Sequence, residues 1–304
     1  MKTSLSTGWR RPSTRLAGVI GMAFALVTGG CTGTGRNDAP DTSGGAEVQE
    51  ARFVATDYSY PVAPAQLEEG LVHVSAENHG TVGHEFTLTG IGDASALDVL
   101  EDFRGTGLSG EPFPPYVDQA AVPPFVSVSP GEADEATMTL SEGHYILWCT
   151  ITDVAEGDRS RPHFKLGMIR EIEVVASDKT LVLPEADGTI TARDYSYDVD
   201  LEAGDRTVNF VNEGPDQIHL ATIEVYPEGV TEEEAREAFE EKRDGPSGVG
   251  FSGIFSTGLG AQIVLPADAL QSGRTYLFQC FVPDREGGKP HVTSYDMFSI
   301  VTIE

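Results

Sequence analysis

Short runs of alternating apolar and polar residues recur along most of the chain. Leu71-Val-His-Val-Ser-Ala76, Glu85-Phe-Thr-Leu88, Ala136-Thr-Met-Thr-Leu140 and Glu171-Ile-Glu-Val-Val175 show the pattern, and Thr207-Val-Asn-Phe-Val211, Gln262-Ile-Val-Leu265 and Phe298-Ser-Ile-Val-Thr-Ile303 repeat it further on. A period near two is that of a strand with one buried face. Gly and Pro, 34 and 18 in all, separate the runs. One helix is predicted from Thr231 to about Arg243, where Thr231 and Glu234 have capping-box spacing and Ala235, Ala238 and Phe239 share a face. Asp98–Phe103 reads as its shorter counterpart. Many short strands with few helices define an all-β chain, and the spacing predicts two β-sandwiches in series with a short helix inserted in the second.

The first thirty residues stand outside this pattern. Lys2, Arg10, Arg11 and Arg15 precede an apolar run from Leu16 to Val27, and Thr28-Gly-Gly-Cys31 closes it. A basic stretch, about a dozen apolar residues and small residues at a cleavage point make a secretory signal, too short for a permanent membrane-spanning helix. The ending resembles the bacterial lipobox, which implies that Cys31 is acylated and becomes the mature N-terminus; the alternative is an ordinary signal with Cys31 as a free or disulfide-bonded thiol. Residues 31–50 read as a flexible tether, since residues 32–45 hold no apolar residue larger than alanine or proline and cannot pack a core. The expectation is a protein exported and lipid-anchored to the outer face of the bacterial cell membrane, touching the membrane through that lipid only.

The remainder is a tandem repeat. Ala55-Thr-Asp-Tyr-Ser-Tyr60 returns as Ala192-Arg-Asp-Tyr-Ser-Tyr197, an offset of 137, and the 274 residues from Cys31 onward are twice that length. Leu67-Glu-Glu-Gly70 is matched by Leu201-Glu-Ala-Gly204, and Asn78-His-Gly80 by Asn212-Glu-Gly214. The expected domains are 51–176 and 177–304.

Charge narrows the function. The chain has 48 acidic and 20 basic residues, a formal net charge of -28, and loss of residues 1–30 makes it -32. Such a surface repels phosphate backbones and anionic lipid, which argues against nucleic-acid binding, and it favours a basic partner through steering. No Gly-x-Ser-x-Gly elbow, phosphate-binding loop or His-Glu-x-x-His motif occurs, and no carboxylate pair stands out as acid and base.

The chemistry-bearing residues fall in the same order in both repeats: His84, Cys149, His163, Met168, and then His219, Cys280, His291, Met297. Two imidazoles, one thiolate and a long axial thioether are the ligands of a blue-copper electron-transfer site. With Cys149 ending an apolar strand and Pro162-His163 and Met168 leading into the last one, the chain resembles the cupredoxin (plastocyanin/azurin-like) family over both repeats. That resemblance implies Greek-key β-sandwich domains and one or two type 1 coppers per chain, the first repeat being the better candidate because five positions separate its His and Met. The loops between Cys and the second His, 14 and 11 positions long, exceed the few residues usual in that family. A non-enzymatic electron carrier is therefore expected, since the paired His-x-His motifs of multicopper oxidases are absent from the sequence. The alternatives are a metal-free envelope binding module, or copper storage and delivery without redox function. In the former, Cys149 and Cys280 are buried fillers or a disulfide and the methionines are core residues.

Overall fold

The computed structural model describes residues 48–102, 112–125, 127–152, 161–241 and 245–304. The signal segment, Cys31 and nearly all of the tether lie outside the described residues. No helix among the described residues is long and apolar enough to cross a membrane.

The first repeat contributes strands β1 (Gln49–Thr56), β2 (Ser59–Val62), β3 (Gln66–Glu68), β4 (Gly70–Asn78), β5 (Thr87–Gly90), β6 (Gln119–Val122), β7 (Ala133–Leu140), β8 (Gly143–Trp148) and β9 (Ile169–Val175), with helix α1 (Ala96–Asp102) between β5 and β6. The second contributes β10 (Gly188–Arg193), β11 (Ser196–Asp200), β12 (Thr207–Asn212), β13 (Thr222–Val225), β14 (Ser247–Phe251), β15 (Ile254–Phe255), β16 (Gly260–Val264), β17 (Arg274–Gln279) and β18 (Phe298–Ile303). It also carries α2 (Glu232–Glu240) and a single turn, α3 (His291–Ser294). The duplication shows in the pairing: β1 lies parallel to β4, and β10 parallel to β12, each with an antiparallel hairpin partner that begins at the Tyr-Ser-Tyr motif.

Alternation decides which faces are buried. In β4, Val72, Val74 and Ala76 point inward while His73 and Ser75 are half-buried, and in β12 Val208, Phe210 and Asn212 point inward. The strand predicted from Glu85 begins at Thr87, because the backbone of His84 is occupied in a separate bridge to Val128. Helix α2 has the expected capping box, with Thr231 Oγ1 accepting from the Glu234 amide at 3.3 Å and the Glu234 carboxylate accepting from the Thr231 amide at 2.9 Å. It ends at Glu240, short of Arg243.

The two sandwiches are not separate bodies on a string. One eight-stranded sheet runs β11-β10-β12-β16-β7-β4-β1-β2 through both repeats, joined where Ala261 and Gln262 pair with Met138 and Thr137. Next to that seam the buried Thr139 hydroxyl accepts from the Gly260 amide at 2.8 Å. A Cβ at Gly260 would sit 2.1 Å from the Phe210 carbonyl oxygen, so the close approach of strands there requires glycine. A second junction joins β15 of the second repeat to β6 of the first, extending the sheet β15-β6-β5-β8-β9-β3. The second sandwich closes with β14-β13-β17-β18, and one hydrophobic core continues through both repeats.

Candidate metal centres

Each repeat gathers its two predicted histidines and its cysteine into one buried cluster. His84, Cys149 and His163 have ligand atoms within 4.8 Å of one another, as do His219, Cys280 and His291, and all six side chains are fully buried. Cys149 and Cys280 are free thiols, which removes the disulfide alternative.

The same backbone hydrogen bonds build both clusters. In the first, the Cys149 amide donates to the Met168 carbonyl at 3.2 Å and the His163 amide to the Ile151 carbonyl at 2.9 Å. In the second, Cys280 donates to Met297 at 3.2 Å and His291 to Val282 at 2.9 Å. Loops of unequal length therefore start and finish on equivalent bonds. The His-to-Met step differs by one residue: a 3-10 turn, His163–Leu166, is ended by Gly167 at φ 113°, whereas α3 is followed by Asp296 at φ 54°. Met168 and Met297 are both completely buried.

Asn78 and Asn212, fully buried, fix the first histidine of each cluster. The Asn78 amide donates at 2.8 Å to the carbonyls of Val82 and Val128 and accepts from the Gly80 amide at 2.8 Å. Asn212 does the same with Gln217, Phe255 and Gly214. His84 and His219 bridge to those same residues, Val128 and Phe255. The glycine of each Asn-x-Gly leaves room for the ring, since a Cβ at Gly80 would lie 2.8 Å from His84 Nε2 and one at Gly214 3.1 Å from His219 Nε2.

The repeated tyrosines frame the clusters. Tyr60 donates to the Glu85 carbonyl and Tyr197 to the Leu220 carbonyl, in each case the residue after the first histidine. Tyr58 packs edge-on against His163 with ring centres 4.9 Å apart, and Tyr195 against His291 at 5.1 Å.

Distances in the second cluster define a binding point. Cys280 Sγ lies 3.9 Å from His219 Nδ1 and 3.5 Å from His291 Nδ1, and the two nitrogens are 3.2 Å apart. A point in that plane about 2.1 Å from all three atoms falls within the roughly 2.0 to 2.3 Å of imidazole and thiolate bonds to a first-row divalent cation. In the first cluster Cys149 Sγ is 3.4 Å and His84 Nδ1 3.3 Å from His163 Nδ1.

Electrostatics prepare these atoms as ligands. Bonds from the Thr81 hydroxyl and amide hold the Asp57 carboxyl below the usual carboxylate range, so it accepts from His84 Nε2 at 3.4 Å. A proton on Nε2 leaves the Nδ1 lone pair facing the cluster. Asp284 accepts from His291 Nε2 at 3.1 Å and takes two further bonds from the Tyr195 and Tyr295 hydroxyls. Burial pushes His219 down to about 3, lowers His291 and raises Cys280 to about 11, so imidazoles are neutral and the thiol keeps its proton until a cation displaces it. His219 Nε2 is buried with no hydrogen-bond partner among the described residues. Three convergent buried donors, two of them neutral imidazoles and one a soft sulfur, fit a copper ion. The clusters also differ next to the first histidine: the Glu85 carboxylate, which receives bonds from the Thr150 amide and hydroxyl, stands where the second repeat has Leu220.

Asp57, Asp284, Tyr58, Tyr195, Tyr60, Tyr197, Asn78 and Asn212 were not among the predicted site residues. The signal for all but Asp284 was the duplication itself, because Asp-Tyr-Ser-Tyr and Asn-x-Gly are its best-kept parts. His73, His79 and His144 stay outside both clusters.

With two β-sandwich repeats, each bringing one His, Cys, His set to one end of its sheets, the chain has a cupredoxin-like fold. No protein-family model and no curated protein matches the chain. Among solved structures, the sodium-dithionite-reduced auracyanin of the photosynthetic bacterium Roseiflexus castenholzii is 20% identical and covers 43% of this chain and 99% of its own, with a TM-score of 0.29. A multicopper oxidase is 14% identical over 88% of this chain and 91% of its own, with a TM-score of 0.25. The blue copper oxidase of Nitrosomonas europaea is 15% identical over 85% and 86%, with a TM-score of 0.24. At these identities the likeness is one of fold. The expectation of a non-enzymatic chain is corrected and not kept, because a multicopper oxidase and a blue copper oxidase are among the structures aligned over most of this chain.

Proposed function

We propose that the chain is an exported copper protein of the bacterial cell envelope, lipid-anchored through Cys31, that carries electrons through its His, Cys, His centres. The supporting observation is the twofold occurrence of Nδ1, Sγ and Nδ1 converging on one buried point, with Nε2 of one histidine in each set already hydrogen-bonded to a carboxylate. Copper bound there supplies one-electron exchange between Cu(II) and Cu(I).

The protein's own residues do the rest. Burial behind Tyr58 and Tyr195 excludes water, and the Asn78 and Asn212 bonds hold the first histidine of each centre still in either oxidation state. The Glu85 amide lies 3.3 Å from Cys149 Sγ and donates to it, which stabilises negative charge on sulfur. Met168 and Met297, both completely buried, would supply the thioether of each ligand set. The acidic surface favours a basic redox partner.

The deciding experiment is the visible spectrum of the lipid-free chain after addition of Cu(II). An intense thiolate-to-copper band is expected. Cys149→Ser and Cys280→Ser should each remove one component. No band and no copper retained after dialysis would sink the proposal, whereas colourless retention of Cu(I) would reassign the chain to copper storage or delivery.

A further inference from the structure

Asp284 and its neighbour lie in the long loop between Cys280 and His291, and that loop reaches the other repeat. Arg285 follows the carboxylate that holds His291. Its guanidinium donates to three backbone carbonyls: Val117 at 3.2 Å and Asp118 at 3.0 Å in the first repeat, and Asp216 at 3.1 Å in the segment leading to His219. Its own amide donates to the Gln217 side chain at 3.1 Å, and its carbonyl accepts from the Phe113 amide at 2.9 Å. One residue therefore ties together the loop carrying Asp284 and His291, the segment carrying His219, and a stretch of the first repeat just before β6.

A second brace reaches His219 by another route. Phe255, whose backbone bridges His219 with both bonds at 3.0 Å, pairs with Ala121 of β6. Ser256 beside it bonds Ala120 twice, amide to carbonyl at 3.0 Å and hydroxyl from amide at 2.8 Å. Both histidines of the second centre thus lean on the first repeat, in the same short region around residues 117–121.

We infer that Arg285 is a positioning residue through which the first repeat sets the geometry of the second metal centre, so that this centre is completed only by the tandem. The planar fork explains the residue type, since three carbonyls on separate segments need several donors in fixed directions. The inference rests on the copper reading for its metal consequences but not for its structural ones.

The test uses the full chain with Cys149→Ser, so that the thiolate band reports the second centre alone, titrated with Cu(II) or Co(II). Arg285→Ala is expected to weaken metal binding there by about tenfold or more, the usual size of such outer-shell losses, and to shift the band. In a Cys280→Ser chain the same substitution should leave the first centre's band and affinity unchanged. In the metal-free chain, amide exchange of residues 281–291 should become faster while that of β8 does not change. Should Arg285→Ala fail to fold, Arg285→Lys keeps the charge and loses the fork, and the same outcomes apply. Unchanged exchange at 281–291 overturns the inference whatever the metal does. So does unchanged affinity with only a lower melting temperature, which would make Arg285 a brace of the fold alone. Parents that give no band at all count against copper, and the exchange result then decides the role of Arg285 by itself.

Discussion

A ligating histidine is only as well placed as the group behind it. His84 and His291 each present Nδ1 because a carboxylate takes the proton on Nε2, yet the carboxylates come from unrelated places: Asp57 from the repeated motif, Asp284 from a loop of different length in the two copies. The centres thus share ligands and differ in support, with the first histidine held in one and the second in the other. Asp284→Asn removes a charged acceptor and frees the tyrosine pair, and the second centre should lose about 10- to 100-fold in metal affinity while the first is unaffected. Competitive titration of the single-centre chains measures this, and equal losses at both centres would show that Asp284 acts through the fold and not through His291.

Turns, more than strands, carry the site. Asn78 closes the end of β4, and its three bonds replace the pairing the backbone loses between β4 and β5. Asn78→Ala would take a partner from two carbonyls and one amide, of which the Val128 carbonyl keeps the His84 amide, so a stability loss of about 1 to 3 kcal/mol is expected, measurable as a lower denaturation midpoint in urea. A loss below about 1 kcal/mol would mean water replaces the side chain. Strand positions and α2 were readable from periodicity and capping because those signals are local. The single turns at His163 and His291 were not, since each is held by bonds to a segment on the far side of the Cys-to-His loop. Asp284 was illegible for a related reason: nothing in a loop's composition states which side chain faces inward.

Across the whole molecule the tandem behaves as one body with a shared sheet and core. Four of its nine tyrosines, Tyr60, Tyr145, Tyr226 and Tyr276, are buried, and burial above all raises their phenols over the ordinary value near 10. The folded state thus keeps protons that the unfolded chain releases, so stability falls as pH rises past the unfolded value of about 10. Ultraviolet titration of tyrosinate in the metal-free chain should show the four buried tyrosines ionising only together with loss of the fold. Smooth titration of all nine near pH 10 with circular dichroism intact would refute this.

The sequence by itself determined the all-β class, the duplication and the order His, Cys, His, Met in each copy, because strand period, internal repeats and residue type are properties of the chain as written. Tertiary structure alone decided that the copies fuse into a common sheet, that the two centres are supported by different carboxylates, and that Arg285 and the strand β15 lean the second centre on the first repeat. The first and last of those facts depend on groups more than a hundred residues apart meeting at about 3 Å, as Arg285 and Asp118 do, and such meetings are fixed by packing and leave no periodic trace along the chain.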